Sequence, residues 1–227
     1  MSLAQTVAAG VPVEVLRTLW HVAPIYRGET IVIIGGGPSL TPEQLNPAVD
    51  RARTIAINDA YILAPGADVL YATDAKWWGW HPDALEFAGI RAACKWRADL
   101  NRWHDEWNGN PFPQVHTLAS TGEEGLESKP WGLRTGGNGG YQAINLAAHL
   151  GATRIILIGY DMQPGPDGKH HWFGDHPNGV APLYDVNMLP HFPSLVDPLR
   201  DLGIEIFNCS PGSALTCFPM ANLEDVL

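Results

Sequence analysis

The densest group of chemically versatile side chains lies in residues 170–176. Three histidines, His170, His171 and His176, and the carboxylate of Asp175 fall within these seven residues. Imidazole can ligate zinc, or it can act as a general base near neutral pH. The spacing matches neither HExxH nor a paired CxxC pattern, so no metal site is predicted. A general base is the favoured interpretation, with a metal site and a plain surface loop as the alternatives.

A glycine-rich stretch at residues 35–39 (Gly-Gly-Gly-Pro-Ser) joins an apolar run to a helix start signal. Glycines in such a place let backbone N–H groups approach a phosphate, and the helix N-terminus adds a favourable dipole. Leu40 stands where the GxGxxG fingerprint has its third glycine, and no GK[ST] follows, so the standard NAD and Walker loops are absent. Gly35, Gly37 and Ser39 are predicted to bind a nucleotide in another kind of loop, and a tight turn is the alternative.

A second glycine-rich stretch at residues 135–140 opens another predicted helix. Two such loops can enclose one nucleotide between them, which makes Asn138, Gly139 and Gly140 candidate binding residues. Asn58 follows a further apolar run, and its amide offers both a donor and an acceptor to a ribose or a base. The alternative for Asn58 is a turn formed by the Asn-Asp pair.

Short apolar runs must position these residues. Continuous runs of this kind are typical of strands that are buried on both faces, as in a parallel sheet. The predicted strands are residues 30–34, 54–57, 68–72, 154–158 and 204–207, with 115–118 as a weaker candidate.

Helices are predicted between these strands. One begins at the Thr41 cap, a second spans residues 140–150 before Gly151, and a third spans 195–202 before Gly203. The alternation predicts an α/β fold: a Rossmann-like, doubly wound, mostly parallel sheet in a single domain of residues 1–227.

Residues 77–131 break the alternation and are predicted to form an insertion or lid. Six of the nine tryptophans lie between Trp77 and Trp107. They could form an aromatic platform for a sugar or base, but packing or an oligomer contact is the favoured interpretation. A homo-oligomer is therefore left open.

Composition excludes several classes of partner. The 227 residues carry 14 basic and 24 acidic side chains, a net charge of -10, which repels the phosphates of a nucleic-acid duplex. No apolar run approaches the ~20 residues of a membrane span. Residues before Arg17 include no basic side chain, so no signal peptide is predicted. Three cysteines without a CxxC pair favour reduced thiols and a cytoplasmic location.

Taken in order, the motifs resemble those of a known family: the bacterial sialyltransferases that use CMP-sialic acid. They are also similar to the motility-accessory and 6-hydroxymethylpterin-diphosphokinase-like relatives, whose stand-alone members are common in bacteriophage genomes. The resemblance covers most of the chain outside residues 77–131. It rests on residues 35–40, 57–58, 140–151, 155–161, 171–176 and 204–213.

The resemblance implies glycosyl transfer from a nucleotide-sugar donor, CMP-linked in the sialyltransferases, to a hydroxyl acceptor, with no metal or other cofactor. It implies a base in the histidine stretch, at His176 or His171. The implied nucleotide-binding residues are Gly35, Gly37, Ser39, Asn58, Gly139 and Gly140.

Three departures from the family pattern leave the donor open. Gly36 stands where the sialyltransferases have a nucleotide-binding asparagine, and Gly139 stands where they have serine. Gln163 occupies the place of a tyrosine that stabilises the leaving phosphate, and it is retained as a candidate binding residue. The alternatives are a Mg²⁺-dependent phosphoryl transferase with Asp74 and Asp161 as ligands, and a non-catalytic nucleotide-binding module.

Overall fold

A computed structural model describes residues 11–97, 102–103, 111–174 and 182–227 of the chain. Its nine-stranded sheet has the order β7-β6-β4-β3-β2-β1-β8-β9, with β5 paired to β4. The strands are β1 Thr30–Ile34, β2 Arg53–Ile57, β3 Val69–Tyr71, β4 Ile90–Arg97, β5 Arg102–Trp103, β6 His116–Ser120, β7 Gly132–Leu133, β8 Arg154–Ile158 and β9 Glu205–Asn208. Neighbours along the order are parallel, and only β5 is antiparallel among the described pairs. The predicted Rossmann-like, mostly parallel sheet is confirmed.

Helices connect the strands. The α-helices are α1 Val13–Leu16, α2 Pro42–Arg51, α3 Ala60–Leu63, α4 Ala75–Trp80, α5 Gly139–Leu150, α6 Val196–Asp201 and α7 Leu223–Val226. Tighter or wider turns are the 3₁₀ helices Pro82–Glu86 and Leu189–Leu195 and the π-helical turn Tyr184–Met188. Gln44 accepts the Thr41 backbone N–H at 3.1 Å at the start of α2, and Gly151 ends α5 in a left-handed conformation with φ 98°.

Both faces of the sheet are covered, which explains the unbroken apolar runs. Along β1, Ile31 and Ile33 pack into one core together with α5, whereas Val32 and Ile34 pack into a second core together with α2. All four side chains are fully buried. Strands buried on both sides have no polar face, and so they lack alternation in sequence.

Residues 77–131, predicted to form an insertion or lid, supply β4 and β6 in their described part, and both strands lie within the sheet. β6 corresponds to the weaker strand candidate at residues 115–118, whereas β4 was not predicted. The polar residues Arg91 and Lys95 interrupt the apolar pattern of β4, and alanine has a low preference for strands. For these two reasons the sequence does not predict this strand. Trp77 and Trp78 in α4 are buried in the core, as packing residues would be.

The strand order reverses direction at β1. From β1 the chain proceeds to β2, β3 and β4 on one side, and it returns to pair β8 against the other side of β1. Ligands of open α/β sheets bind outside the carboxyl ends of the strands at such a switch point. Within the described part of the chain, no helix has the length and apolarity to cross a membrane.

Candidate functional site

A cleft opens at the switch point, beyond the carboxyl ends of β1, β2 and β8. Three groups of lining residues follow these strands, and two more come from the histidine segment and the π-helical turn. The lining consists of Gly36, Gly37, Ile57, Asn58, Asp59, Gly159, Asp161, Met162, His170, His171, Phe173, Pro182, Tyr184 and Met188.

The first glycine-rich loop lies directly against the end of β8. Gly35 donates its N–H to the carbonyl oxygen of Ile158, and Gly37 donates to that of Gly159, each at 2.8 Å. A Cβ atom at Gly35 would lie 2.5 Å from the Gly159 carbonyl oxygen. Close backbone approach therefore requires glycine here, independently of any ligand.

Ser39 binds to Asp161. Its backbone N–H and its hydroxyl donate to the two carboxylate oxygens of Asp161, at 3.0 and 2.9 Å. Burial raises the pKa of the Asp161 carboxyl, and the two hydrogen bonds from Ser39 oppose that shift because they favour the charged form. Ser39 was predicted to bind a nucleotide, but its backbone N–H and its hydroxyl both donate to Asp161.

Asn58 lies at the end of β2 in a left-handed conformation with φ 49°. Its carbonyl oxygen accepts the Tyr61 N–H at 3.4 Å, so it does form a turn into α3. Asn58 lines the cleft, and its side chain makes no hydrogen bond with another described residue. The turn and the ligand interpretations are therefore compatible, because the turn uses only the backbone of Asn58.

The histidine segment packs onto the first glycine-rich loop. Trp172 donates its N–H to the Gly36 carbonyl oxygen at 3.1 Å. The His171 ring stacks on Phe173, with centroids 4.9 Å apart and planes 3° from parallel. His171 therefore reaches the cleft, whereas His176 lies outside the described residues and its role stays a prediction.

Tyr184, on the π-helical turn, faces the same cleft. Its hydroxyl donates to the His170 carbonyl oxygen at 3.2 Å. Burial and the nearby Asp161 carboxylate raise the pKa of Tyr184 to about 12, so the phenol stays protonated and keeps this hydrogen bond. No local pattern marks this tyrosine in the sequence, since its place depends on the fold.

The second glycine-rich loop begins α5 at the same edge of the sheet. Asn138 caps the helix: its side-chain oxygen accepts the Tyr141 N–H and its amide donates to the Gly136 carbonyl oxygen, both at 2.8 Å. A Cβ atom at Gly139 would lie 3.4 Å from Ile57, which lines the cleft. The N–H groups of Gly139 and Gly140 have no acceptor among the described residues.

Gln163 lies outside the cleft lining, and its amide donates to the Gly212 carbonyl oxygen. Asp74 is also outside the lining, so the cleft does not bring it together with Asp161. Across the described residues, no three His, Cys, Asp or Glu side chains gather as metal ligands would.

Two residues of the cleft lining, Met162 and Asp59, were not identified as site residues from the sequence. Met162 adopts a left-handed conformation with φ 52°, an uncommon and strained state for this residue type. Asp59 is buried beside Asn58, and its carboxylate accepts the indole N–H of Trp77 at 3.2 Å and lies 3.2 Å from His81. The lining residues include these two carboxylates, Asp59 and Asp161, but no lysine or arginine within the described chain.

Comparisons with known proteins add one likeness. No family model matches the chain. None of the curated proteins matches it either. Among solved structures, the chain is similar to the sialyltransferase CstII from Campylobacter jejuni, determined in complex with a substrate analogue, cytidine-5'-monophosphate. The sequences are 13% identical, the TM-score is 0.48, and the match covers 87% of this chain and 86% of that one. The sequence identity and the TM-score are too low for the likeness to indicate what this chain binds.

Proposed function

We propose that the chain binds a nucleotide sugar in the switch-point cleft and transfers the glycosyl group to a hydroxyl acceptor. The observation that carries the proposal is the cleft itself, which lies where open α/β sheets bind their ligands. Its lining offers the unoccupied amide of Asn58, the imidazoles of His170 and His171, and the phenol of Tyr184. These groups suit a polar ligand with many hydroxyl and amide groups.

The phosphate would bind at the start of α5. The unoccupied N–H groups of Gly139 and Gly140 and the positive end of a helix of 12 residues favour an anion there. Ile57 connects this helix start to the cleft lining. The same N–H groups would stabilise the charge that develops on the leaving phosphate.

The chemical step needs a base, because a hydroxyl is a poor nucleophile unaided. The acceptor oxygen would form a bond to the anomeric carbon as the bond from that carbon to the phosphate oxygen breaks. The electron pair would leave with the nucleotide, and the acceptor proton would pass to an imidazole, His176 or His171. In this mechanism neither a metal nor a cofactor takes part.

Thermal unfolding in the presence of candidate ligands tests the binding. A ligand at 100 times its Kd stabilises the folded state by about 2.7 kcal/mol, so a panel of nucleotides and nucleotide sugars ranks the candidates. A cytidine or other pyrimidine nucleotide should raise Tm equally with Mg²⁺ and with EDTA. A shift that needs Mg²⁺ would favour the phosphoryl transferase instead.

Turnover separates a transferase from a non-catalytic module. Water can replace the acceptor hydroxyl, so we expect slow hydrolysis of the bound nucleotide sugar, with release of free nucleotide, even when no acceptor is present. Binding with no release, with water or with a panel of sugar acceptors, would favour a nucleotide-binding module and contradict the transferase.

A further inference from the structure

Glycine-rich loops bind phosphate through free backbone N–H groups, and the first loop of this chain has few of them. Gly35 donates its N–H to Ile158 at the end of β8, Gly37 donates its N–H to Gly159, and the proline between Gly37 and Ser39 has none. Ser39 gives its N–H and its hydroxyl to Asp161. Among the described residues, this leaves the N–H of Gly36 as the loop's open donor.

Asp161 is held in this place from several sides. Its side chain is buried with the residue 6% exposed, and both carboxylate oxygens accept from Ser39. A Cβ atom at Gly37 would lie 1.9 Å from one of those oxygens, so the carboxylate fills the hollow that the glycine leaves. An anion approaching the loop would meet a fixed negative charge where other loops present donors.

We infer that Asp161 determines specificity by preventing the first glycine-rich loop from binding phosphate, so that the loop binds a hydroxyl-bearing part of the ligand instead. An ionised carboxylate only accepts hydrogen bonds, and its oxygens have about four acceptor sites in all. Ser39 takes two of these, and Asp161 lines the cleft. The remaining sites suit the hydroxyls of a ribose or a sugar.

The inference rests on the proposed function for the nature of the ligand but not for the exclusion of phosphate. If the proposed function and this inference both hold, one phosphate of the ligand binds at the start of α5 and a hydroxyl group of the ligand binds at Asp161. A second phosphate at the first loop is disfavoured, because no lysine or arginine offsets the carboxylate among the described lining residues.

Calorimetry with inorganic phosphate and with cytidine tests the inference on three variants. Asp161→Ala frees both Ser39 donors and removes the charge, so affinity for inorganic phosphate should rise at least about tenfold over wild type. Asp161→Asn keeps an acceptor for the Ser39 N–H and should give a smaller rise. Affinity for cytidine should fall about tenfold in Asp161→Ala, an opposite change that general loosening of the fold would not produce.

The double variant Ser39→Ala/Asp161→Ala locates the gain. Phosphate binding at α5 is the same in all variants and does not affect the comparison. The rise in phosphate affinity seen in Asp161→Ala should therefore be smaller in the double variant, which lacks the Ser39 hydroxyl. Unchanged phosphate affinity in both Asp161 variants would overturn the inference. If the alanine variant does not fold, the asparagine variant decides alone. Failure of wild type to bind any nucleotide would contradict the proposed function, whereas the phosphate measurement would still test Asp161.

Discussion

The hydroxyl of Tyr160 donates a hydrogen bond to the carbonyl oxygen of Gly140 at 3.0 Å, and this bond ties the end of β8 to the first turn of α5. The Tyr160 ring is buried. One edge of it would lie 3.1 Å from a Cβ at Gly35, and another would lie 2.9 Å from a Cβ at Gly140. A single ring therefore fills the space between the two glycine-rich loops and sets their separation.

Gly140→Ala should destabilise the protein by about 1–3 kcal/mol, because the new methyl group would overpack against the Tyr160 ring. Urea denaturation measures the free energy of unfolding. Gly79→Ala is the matched control: it lies within α4, has open space around it, and should be neutral or slightly stabilising. Equal stability of Gly140→Ala and wild type would mean that the ring does not fix the loop.

Asn58→Ala should weaken nucleotide binding by about 1–3 kcal/mol if the amide bonds the ligand in the cleft. The alanine also strains the left-handed backbone at φ 49°. Asn58→Gly is therefore the better test, since glycine accepts this conformation while removing the amide. Unchanged affinity in Asn58→Gly by calorimetry would leave Asn58 with its turn alone.

His176→Ala should keep nucleotide affinity and lower turnover by roughly 10²–10⁴-fold, as expected for loss of a general base. His171→Ala is the companion variant, because this ring lines the cleft and stacks on Phe173. The readouts are nucleotide release and calorimetric affinity. Full turnover in both variants would remove the histidine mechanism, and loss of a bound metal together with activity would favour the metal interpretation.

His149 should make the protein less stable as the pH falls. Burial lowers the pKa of this imidazole, and its Nε2 lies 2.9 Å from the Gly132 carbonyl oxygen. The unfolded chain therefore binds the proton more tightly, and the free energy of unfolding should fall as the pH drops below about 6.5.

His149→Gln keeps a donor for Gly132 and should flatten this decline. Burial and Arg91 also lower the pKa of His116, so part of the slope should remain. Asp161, with its raised pKa, acts in the opposite sense, but it is present in both proteins and cancels in the comparison. Identical pH profiles of unfolding in the two proteins would assign the slope elsewhere.

The central strands could be predicted from the sequence because burial on both faces leaves a continuous apolar run. Residues 30–34 and 154–158 match β1 and β8 as observed. β4 could not be predicted, because it contains the charged residues Arg91 and Lys95. Whether a strand accepts such residues depends on the neighbours they meet in the folded chain, and the local sequence does not specify those neighbours.

The candidate site divides in the same way. Gly36, Gly37 and Asn58 follow marked strands, and parallel strands bring their carboxyl ends to one edge, so their meeting is predictable. The bond between Ser39 and Asp161 joins loops that are distant in sequence, and it is a property of the folded chain alone. Tyr184 reaches the cleft by the same long-range route.

The position of β1 between β2 and β8 has a consequence for the growing chain on the ribosome. Thr30–Ile34 finds one partner soon, in Arg53–Ile57, but the other only when Arg154–Ile158 has been made. Until then, one edge of the strand presents unpaired N–H and C=O groups, the template on which other chains aggregate. The acceptors for Gly35 and Gly37 arrive with that same late strand and the glycine after it. The switch-point cleft therefore cannot form until β8 has been synthesised, and a nascent chain that lacks β8 leaves this edge of β1 without its partner.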